Sequence, residues 1–189
     1  KHYTAMGQRV LMLAHSEKPT IGDQLPSDMK PFAIITLSDN IRRDAIQTIE
    51  WFKKNEVNVK VISGDNPVTV SEVAKRAGVE GADKYVSLEG MSEADVIACA
   101  TKYNVFGRVT PEQKAILVKA LKHAGHTVAM TGDGVNDILA MKEAHCSITV
   151  ASGSDATKNI AHIVLMDNNF NSMPHVVAEG RRVINNIEK

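Results

Sequence analysis

Thr127-Val128-Ala129-Met130-Thr131-Gly132-Asp133-Gly134-Val135-Asn136-Asp137 decides how the rest of the chain is read. Val128-Ala129-Met130 is a short apolar run suited to a buried strand. Gly132 and Gly134 turn the chain around Asp133, and helical spacing resumes at Val135, Ile138, Leu139 and Met141. Strand, glycine turn and helix in that order put polar side chains at the carboxyl end of a parallel sheet, where open α/β folds bind ligands. Asp133, Asn136 and Asp137 crowd three polar side chains into five positions, more than a turn needs beside its glycines. A hard cation such as Mg²⁺ takes one or two carboxylates and completes its shell with water and phosphate oxygens. The cluster therefore points to a metal and phosphate site.

Working outward, Thr110-Pro111-Glu112-Gln113 opens a helix with cap, N1 proline and polar N3 residue in order. Ile116, Leu117, Ala120 and Leu121 form its apolar face. Upstream, strands are predicted over residues 57–62, 83–88 and 105–109. Helices are predicted over about 42–54, capped by Asp39, from Pro67 to Gly78, and from the Ser92 cap to about Lys102. Downstream follow strands at 146–150 and 163–166 and a last helix with Val176, Gly180, Val183 and Ile187 on one stripe. From residue 39 onward, strands alternate with helices, which predicts an α/β fold with a mostly parallel sheet and helices on both faces. Residues 1–38 differ. There, 9–13 and 32–37 read as two strands joined by a polar link containing Pro and Gly, with no repeat or low-complexity tract anywhere.

In 189 residues, 22 Lys and Arg balance 22 Asp and Glu, so nothing favours nucleic acid or an anionic membrane surface as a partner. Cys99 and Cys146 match no metal spacing and read as reduced core thiols. No apolar run reaches the roughly 18 residues that span a bilayer. The start at Lys1, without an initiator Met, predicts a piece of a longer chain.

Two further stretches carry groups that a phosphate site uses. Ile62-Ser63-Gly64-Asp65 offers a hydroxyl and main-chain N–H groups at a strand-to-helix turn, an anion cradle aided by the helix dipole. Lys114 lies one turn into a helix, where an ammonium opposes the macrodipole unless an anion is nearby. Hydroxyl, ammonium and metal-binding carboxylate together make a phosphoryl-transfer set. The set lacks an activated nucleophile: there is no Gly-x-Ser-x-Gly, no Walker loop and no Cys–His pair, and the seven histidines are scattered.

Taken in order, these motifs resemble those of P-type cation-transporting ATPases, a branch of the haloacid dehalogenase superfamily. Residues 131–137 look like the family's hinge motif, Ser63-Gly64-Asp65 like its Thr-Gly-Asp turn, and Arg108 to Lys114 like its Arg-Val-x-Pro-x-x-Lys stretch. Asp39-Asn40-Ile41-Arg42 is similar to Asp-Pro-Pro-Arg between the nucleotide and phosphorylation domains, without its two prolines. Arg9-Val10-Leu11 looks like the nucleotide-domain strand whose Arg contacts ATP phosphates, and residues 180–187 resemble the stalk that enters a membrane helix.

The resemblance implies a haloacid-dehalogenase-like Rossmannoid sheet. It divides the chain into the tail of a nucleotide domain (1–38), a phosphorylation domain (39–175) and a stalk helix (176–189). By the same resemblance, Asp133, with Asp137, holds Mg²⁺; Asn136 and Asp137 order its surroundings. Ser63 and Lys114 act on the aspartyl phosphate, while Arg9, Asp39, Arg42, Gly64, Asp65 and Arg108 serve the nucleotide side. The implied cofactors are Mg²⁺ and ATP. The implied partners are the remainder of the same pump (nucleotide, actuator and transmembrane domains) and the transported cation, with no nucleic acid, and the implied place is the cytoplasmic face of a membrane, with this portion itself soluble.

The family's phosphorylated Asp-Lys-Thr-Gly-Thr string is absent from these residues, so the expectation is a portion inactive alone. The strand that carries that Asp lies mid-sheet in the family, between the strands ending at Ser63 and Thr131. Its absence would leave main-chain groups unpaired, and residues 10–14 are apolar enough to be expected in the gap. Two other readings stand beside the pump: a Mg²⁺-dependent phosphatase with Asp39 as nucleophile, and a non-catalytic module that holds metal or phosphate.

Overall fold

The computed structural model describes residues 3, 8–20, 22–38 and 40–187, Arg9 by its main chain only. Two strands, β1 (Arg9–His15) and β2 (Lys30–Leu37), form an antiparallel ribbon of their own. The remaining strands are short and parallel. β3 (Val61–Ile62), β4 (Tyr85–Ser87) and β5 (Val105–Gly107) make one sheet in the order β3–β5–β4. β6 (Ala129–Thr131), β7 (Cys146–Val150) and β8 (Ile163–Leu165) make a second in sequence order. The helices are α1 (Arg43–Lys54), α2 (Pro67–Arg76), α3 (Glu93–Cys99), α4 (Pro111–His123), α5 (Ile138–Glu143), α6 (Asp155–Ile160) and α7 (Met173–Ile187). Single 3₁₀ turns occupy Val135–Asp137 and Phe170–Ser172.

Short polar side chains start four of these helices by accepting main-chain N–H groups that a first turn leaves unbonded. Thr110 and Gln113 form a reciprocal capping box at α4 (3.3 and 3.1 Å), and the Gln113 amide also donates to the Leu88 carbonyl at 2.9 Å. Asn66 caps α2, Ser92 caps α3 and Ser154 caps α6. Helix α1 begins at Arg43 after Arg42, which makes no side-chain cap, and Asp39, the expected cap, lies outside the described residues.

Alternation along the strands sorts the core into faces. On β5, Phe106 packs with Leu88, Val96, Leu117 and Leu121 of one cluster, and its neighbour Val105 packs with Val70, Ala74 and Ala82 of another. The second sheet repeats the division: Met130 joins Val118, Ala140 and Met141, whereas Ile148 and Leu165 join Met173. Two helices reach both sheets. Leu117 and Leu121 of α4 belong to the Phe106 cluster, but its Val118 belongs to the Met130 cluster. In α1, Ile49 packs on the Val105 cluster and Phe52 on the Ile148 cluster.

The parallel α/β class stands as expected, with a gap. Among the described residues β3 and β6 are not hydrogen-bonded neighbours, so each sheet turns one edge toward the place between them. The expectation that residues 10–14 fill this gap is wrong. Among the described residues β1 is registered only against β2, Arg9 opposite Leu37 and Met12 opposite Ile34. Apolar composition made residues 10–14 a possible strand, but not one that belongs to this sheet: Met12, Leu13, Phe32 and Ile34 remain exposed in the ribbon.

Several predicted strands are shorter in the structure, because a strand exists only where it has a partner. The predicted 57–62 segment is paired only at Val61 and Ile62, and 105–109 ends at Gly107. The predicted stripe on α7 is exposed at Val183 and Ile187; burial is confined to the first turns, at Met173 and, in part, Val177.

Candidate active site

Both sheets send their carboxyl-end loops into one cleft of about 380 Å³. Ser63 and Gly64 enter from β3, Thr131 and Asp133 from β6, Lys114 from α4 and Asp137 from the 3₁₀ turn. The three stretches singled out in the sequence therefore meet.

On the β3 side, the loop is stitched to the one after β5. The Arg108 N–H donates to the Asp65 carbonyl (2.9 Å) and the Val109 N–H to the Ser63 carbonyl (3.1 Å). The Ser63 hydroxyl accepts the Asp65 N–H at 3.1 Å, closing the turn. Gly107 has no room for a side chain: a Cβ there would lie 2.5 Å from the Pro67 main chain. The chain then passes through Arg108 at φ +54°, a left-handed conformation uncommon outside glycine. Such strain persists only where surrounding contacts hold it.

On the β6 side, the Gly132 N–H donates to the Ile148 carbonyl at 3.1 Å. The glycine is needed for proximity rather than for an unusual turn: a Cβ on Gly132 would sit 2.3 Å from the Asp137 Cβ, and Gly134 has an extended φ of −113°. Asp137 folds back across that space. One carboxylate oxygen accepts from Lys114 Nζ at 2.6 Å, and the other lies 3.4 Å from the Gly134 N–H. Both side chains of the ion pair are only 13% exposed, so water screens it less than a surface pair. The lysine that opposes the α4 dipole has its anion here, already within the chain.

Other expected residues fall elsewhere. Asn136 is exposed on the 3₁₀ turn and does not line the cleft, nor do the exposed Asp65 and Arg108. Arg42 pairs with Asp44 at 3.0 Å and donates to the Asn168 carbonyl at 3.3 Å, tying the start of α1 to the loop after β8. The Asn169 amide donates to Asp44 at 2.9 Å; together with Arg42 this holds the Asp44 carboxyl below its ordinary value. Asp39 and the Arg9 side chain lie outside the described residues. Phe170 lines the cleft without having been singled out, a lone aromatic with no motif around it. Cys99 and Cys146 are half-buried and unbridged, and burial pushes the Cys146 thiol up.

The donor set fits a divalent cation in part. Among the described residues no cluster of three His, Cys, Asp or Glu side chains could hold a metal. Mg²⁺ needs no such cage, because phosphate and water complete its shell. Asp133 supplies one exposed carboxylate at the cleft, while Asp137 is committed to Lys114.

A family profile described as haloacid dehalogenase-like hydrolase matches residues 3–145, and a second of the same description matches 114–177. The chain belongs to the haloacid dehalogenase-like hydrolases. Within this family it is similar to cation-transporting ATPases. It is 47% identical over 187 residues to the probable cation-transporting ATPase exp7 of Streptococcus pneumoniae, covering 96% of this chain and 24% of that protein. It is 45% identical over 185 residues to the calcium-transporting ATPase CtpE of Mycobacterium tuberculosis, covering 98% of this chain and 23% of that protein. The crystal structure of a zinc-transporting PIB-type ATPase in its E2.Pi state superposes with a TM-score of 0.69 at 25% identity, over 99% of this chain and 25% of that one. This haloacid dehalogenase-like chain thus spans about a quarter of the length of the relatives it matches. No helix among its described residues is long and apolar enough to cross a membrane.

Proposed function

We propose that the chain is the phosphorylation-domain portion of a P-type cation-transporting ATPase, with the tail of the nucleotide domain at residues 1–38 and a stalk helix from 176. The observation that carries this reading is the convergence of Ser63, Gly64, Lys114, Asp133 and Asp137 on one cleft at the carboxyl ends of both sheets. In the whole pump, ATP would phosphorylate an aspartate, and that step would be coupled to cation movement through membrane helices outside these 189 residues.

Within the cleft the Ser63 hydroxyl and the Gly64 main chain are placed to hydrogen-bond phosphate oxygens. The Lys114 ammonium neutralises them from the α4 side, and Asp137 holds that ammonium in place. Asp133 would hold Mg²⁺, which when bound supplies charge neutralisation at the transferring phosphoryl group. Arg108 and Arg42 stand outside the cleft lining and are assigned to the nucleotide.

The isolated chain is proposed to bind without turnover. Among the described residues two carboxylates line the cleft; Asp137 is ion-paired and Asp133 is assigned to the metal, so neither is free as a nucleophile. The test is acid-stable labelling with γ-³²P-ATP and Mg²⁺, followed by hydroxylamine. It compares this chain, a chain extended upstream through an Asp-Lys-Thr-Gly-Thr string, and the extended chain with Asp133→Ala. Label only on the extended wild type, stripped by hydroxylamine, is expected. Hydroxylamine-sensitive label on this chain alone would overturn the assignment and favour a self-contained phosphatase with a nucleophile such as Asp39.

A further inference from the structure

Against the Asp133 carbonyl lies a group of hydroxyls that the proposed chemistry does not use. Thr149 and Thr157 are fully buried, and Ser154 caps the short helix α6. The Ser154 N–H donates to the Asp133 carbonyl at 2.8 Å, the shortest contact to that carbonyl in the group. Thr157 grips Ser154 at several points. Its hydroxyl donates to the Ser154 carbonyl at 2.7 Å and lies 3.1 Å from the Ser154 hydroxyl, which accepts the Thr157 N–H at 3.2 Å. The Thr157 hydroxyl also comes within 3.4 Å of the Asp133 carbonyl itself. Gly153 completes the arrangement by leaving space. A Cβ there would fall 2.7 Å from Thr149 Oγ1, 3.0 Å from the Val150 carbonyl and 3.2 Å from Thr157 Oγ1.

A capping serine needs none of this, since its own hydroxyl satisfies the first turn. Nor does core packing favour a buried polar cluster over apolar side chains of the same shape. What the cluster does achieve is to fix the main chain of Asp133, whose side chain is exposed at the cleft. Losing a group that orients a metal ligand from behind commonly costs roughly 10- to 100-fold in metal affinity or activity.

We infer that Thr157, acting through Ser154 in the space left by Gly153, is a positioning residue that aims the Asp133 carboxylate at a divalent cation. The inference rests on the reading of Asp133 as a metal-holding residue. Thr157 touches neither cation nor phosphate. Its effect passes through the Ser154 N–H to the Asp133 carbonyl.

The test uses Mn²⁺ as probe with inorganic phosphate present, on the 189-residue chain, reading paramagnetic broadening of amide resonances around Asp133. Thr157→Val keeps the shape and removes the hydroxyl; it is expected to weaken Mn²⁺ binding roughly tenfold and to speed hydrogen exchange of the Ser154 amide. Thr157→Ser, which restores the hydroxyl, returns both towards wild type, and Gly153→Ala lowers affinity in the same direction as Thr157→Val. Ser147→Ala is the control, because it removes a buried β7 hydroxyl whose hydrogen bonds go to Ile160 and His162 and not to Asp133, Ser154 or Thr157; it leaves Mn²⁺ affinity unchanged. Wild-type Mn²⁺ affinity in Thr157→Val, with binding still abolished by Asp133→Asn, overturns this inference alone. Absence of any Mn²⁺ effect centred on Asp133 in the wild type overturns the metal reading, and the inference with it.

Discussion

The two parallel sheets have the same size and strand direction, yet differently made interiors. Around β5 the fully buried set is apolar, with Phe106, Leu88, Val96 and Leu117, except for Ser71, whose hydroxyl donates to the Ala82 carbonyl. Around β7 the fully buried set includes Ser147, Thr149 and Thr157. The first sheet delivers a hydroxyl and main-chain donors to the cleft on a loop stitched by main-chain hydrogen bonds. The second delivers carboxylates, which need orientation as well as placement, on a loop tied also to buried hydroxyls. The lesson is that one fold can build the interiors behind its two halves differently, according to what each half must present.

If that contrast is right, the largest effect comes from the apolar half. Phe106→Ala should cost about 4 kcal/mol in chemical denaturation, the usual range for a fully buried aromatic; a loss below that of a typical surface change would break the contrast. Next comes the contact between the halves. Asp137→Ala leaves Lys114 without its partner in a site only 13% exposed, and should cost about 2 kcal/mol, between the values for exposed and buried pairs. The double variant with Lys114→Met should recover part of that loss in a double-mutant cycle.

A smaller effect is expected in the polar half. Ser147→Ala removes a fully buried hydroxyl that lies 2.8 Å from His162 Nδ1, and should cost about 1 kcal/mol by thermal unfolding. The smallest is a pH effect. Hydrogen bonding from Asn169, then Arg42, lowers the Asp44 carboxyl from an ordinary 3.8, so its stabilising contribution is present above that pH and is lost as pH falls through the folded value. Unfolding of wild type and Asp44→Asn should therefore differ at neutral pH and converge in acid; a constant difference would remove Asp44 from the account.

The sequence made the alternation of strands and helices legible, because α4 carries its cap, proline and apolar face within a dozen residues. The three motif stretches and their common cleft were legible for the same reason, each being local. Other features were not, since they depend on residues far apart along the chain. The Lys114–Asp137 pair joins positions 23 apart, and the contact that makes Gly132 necessary is with a side chain, not a turn. Phe170 carries no local signal at all. Residues 10–14 were misplaced because hydrophobicity states that a strand wants a partner without stating which. The clasp behind Asp133 looked like an ordinary loop containing Gly153 until the register of β7 brought Thr149 beneath it.

The helices α1 and α4, which pack on both sheets, also shape how the molecule opens. A continuous ladder of hydrogen bonds melts as one piece, whereas two short ladders joined by side-chain packing form separate cooperative units of unequal stability. Amides of β5 and β7 then report different opening free energies in native-state hydrogen exchange. An excursion that unseats α1 or α4 exposes both sheets together, so these two helices help set the threshold between local breathing and global unfolding.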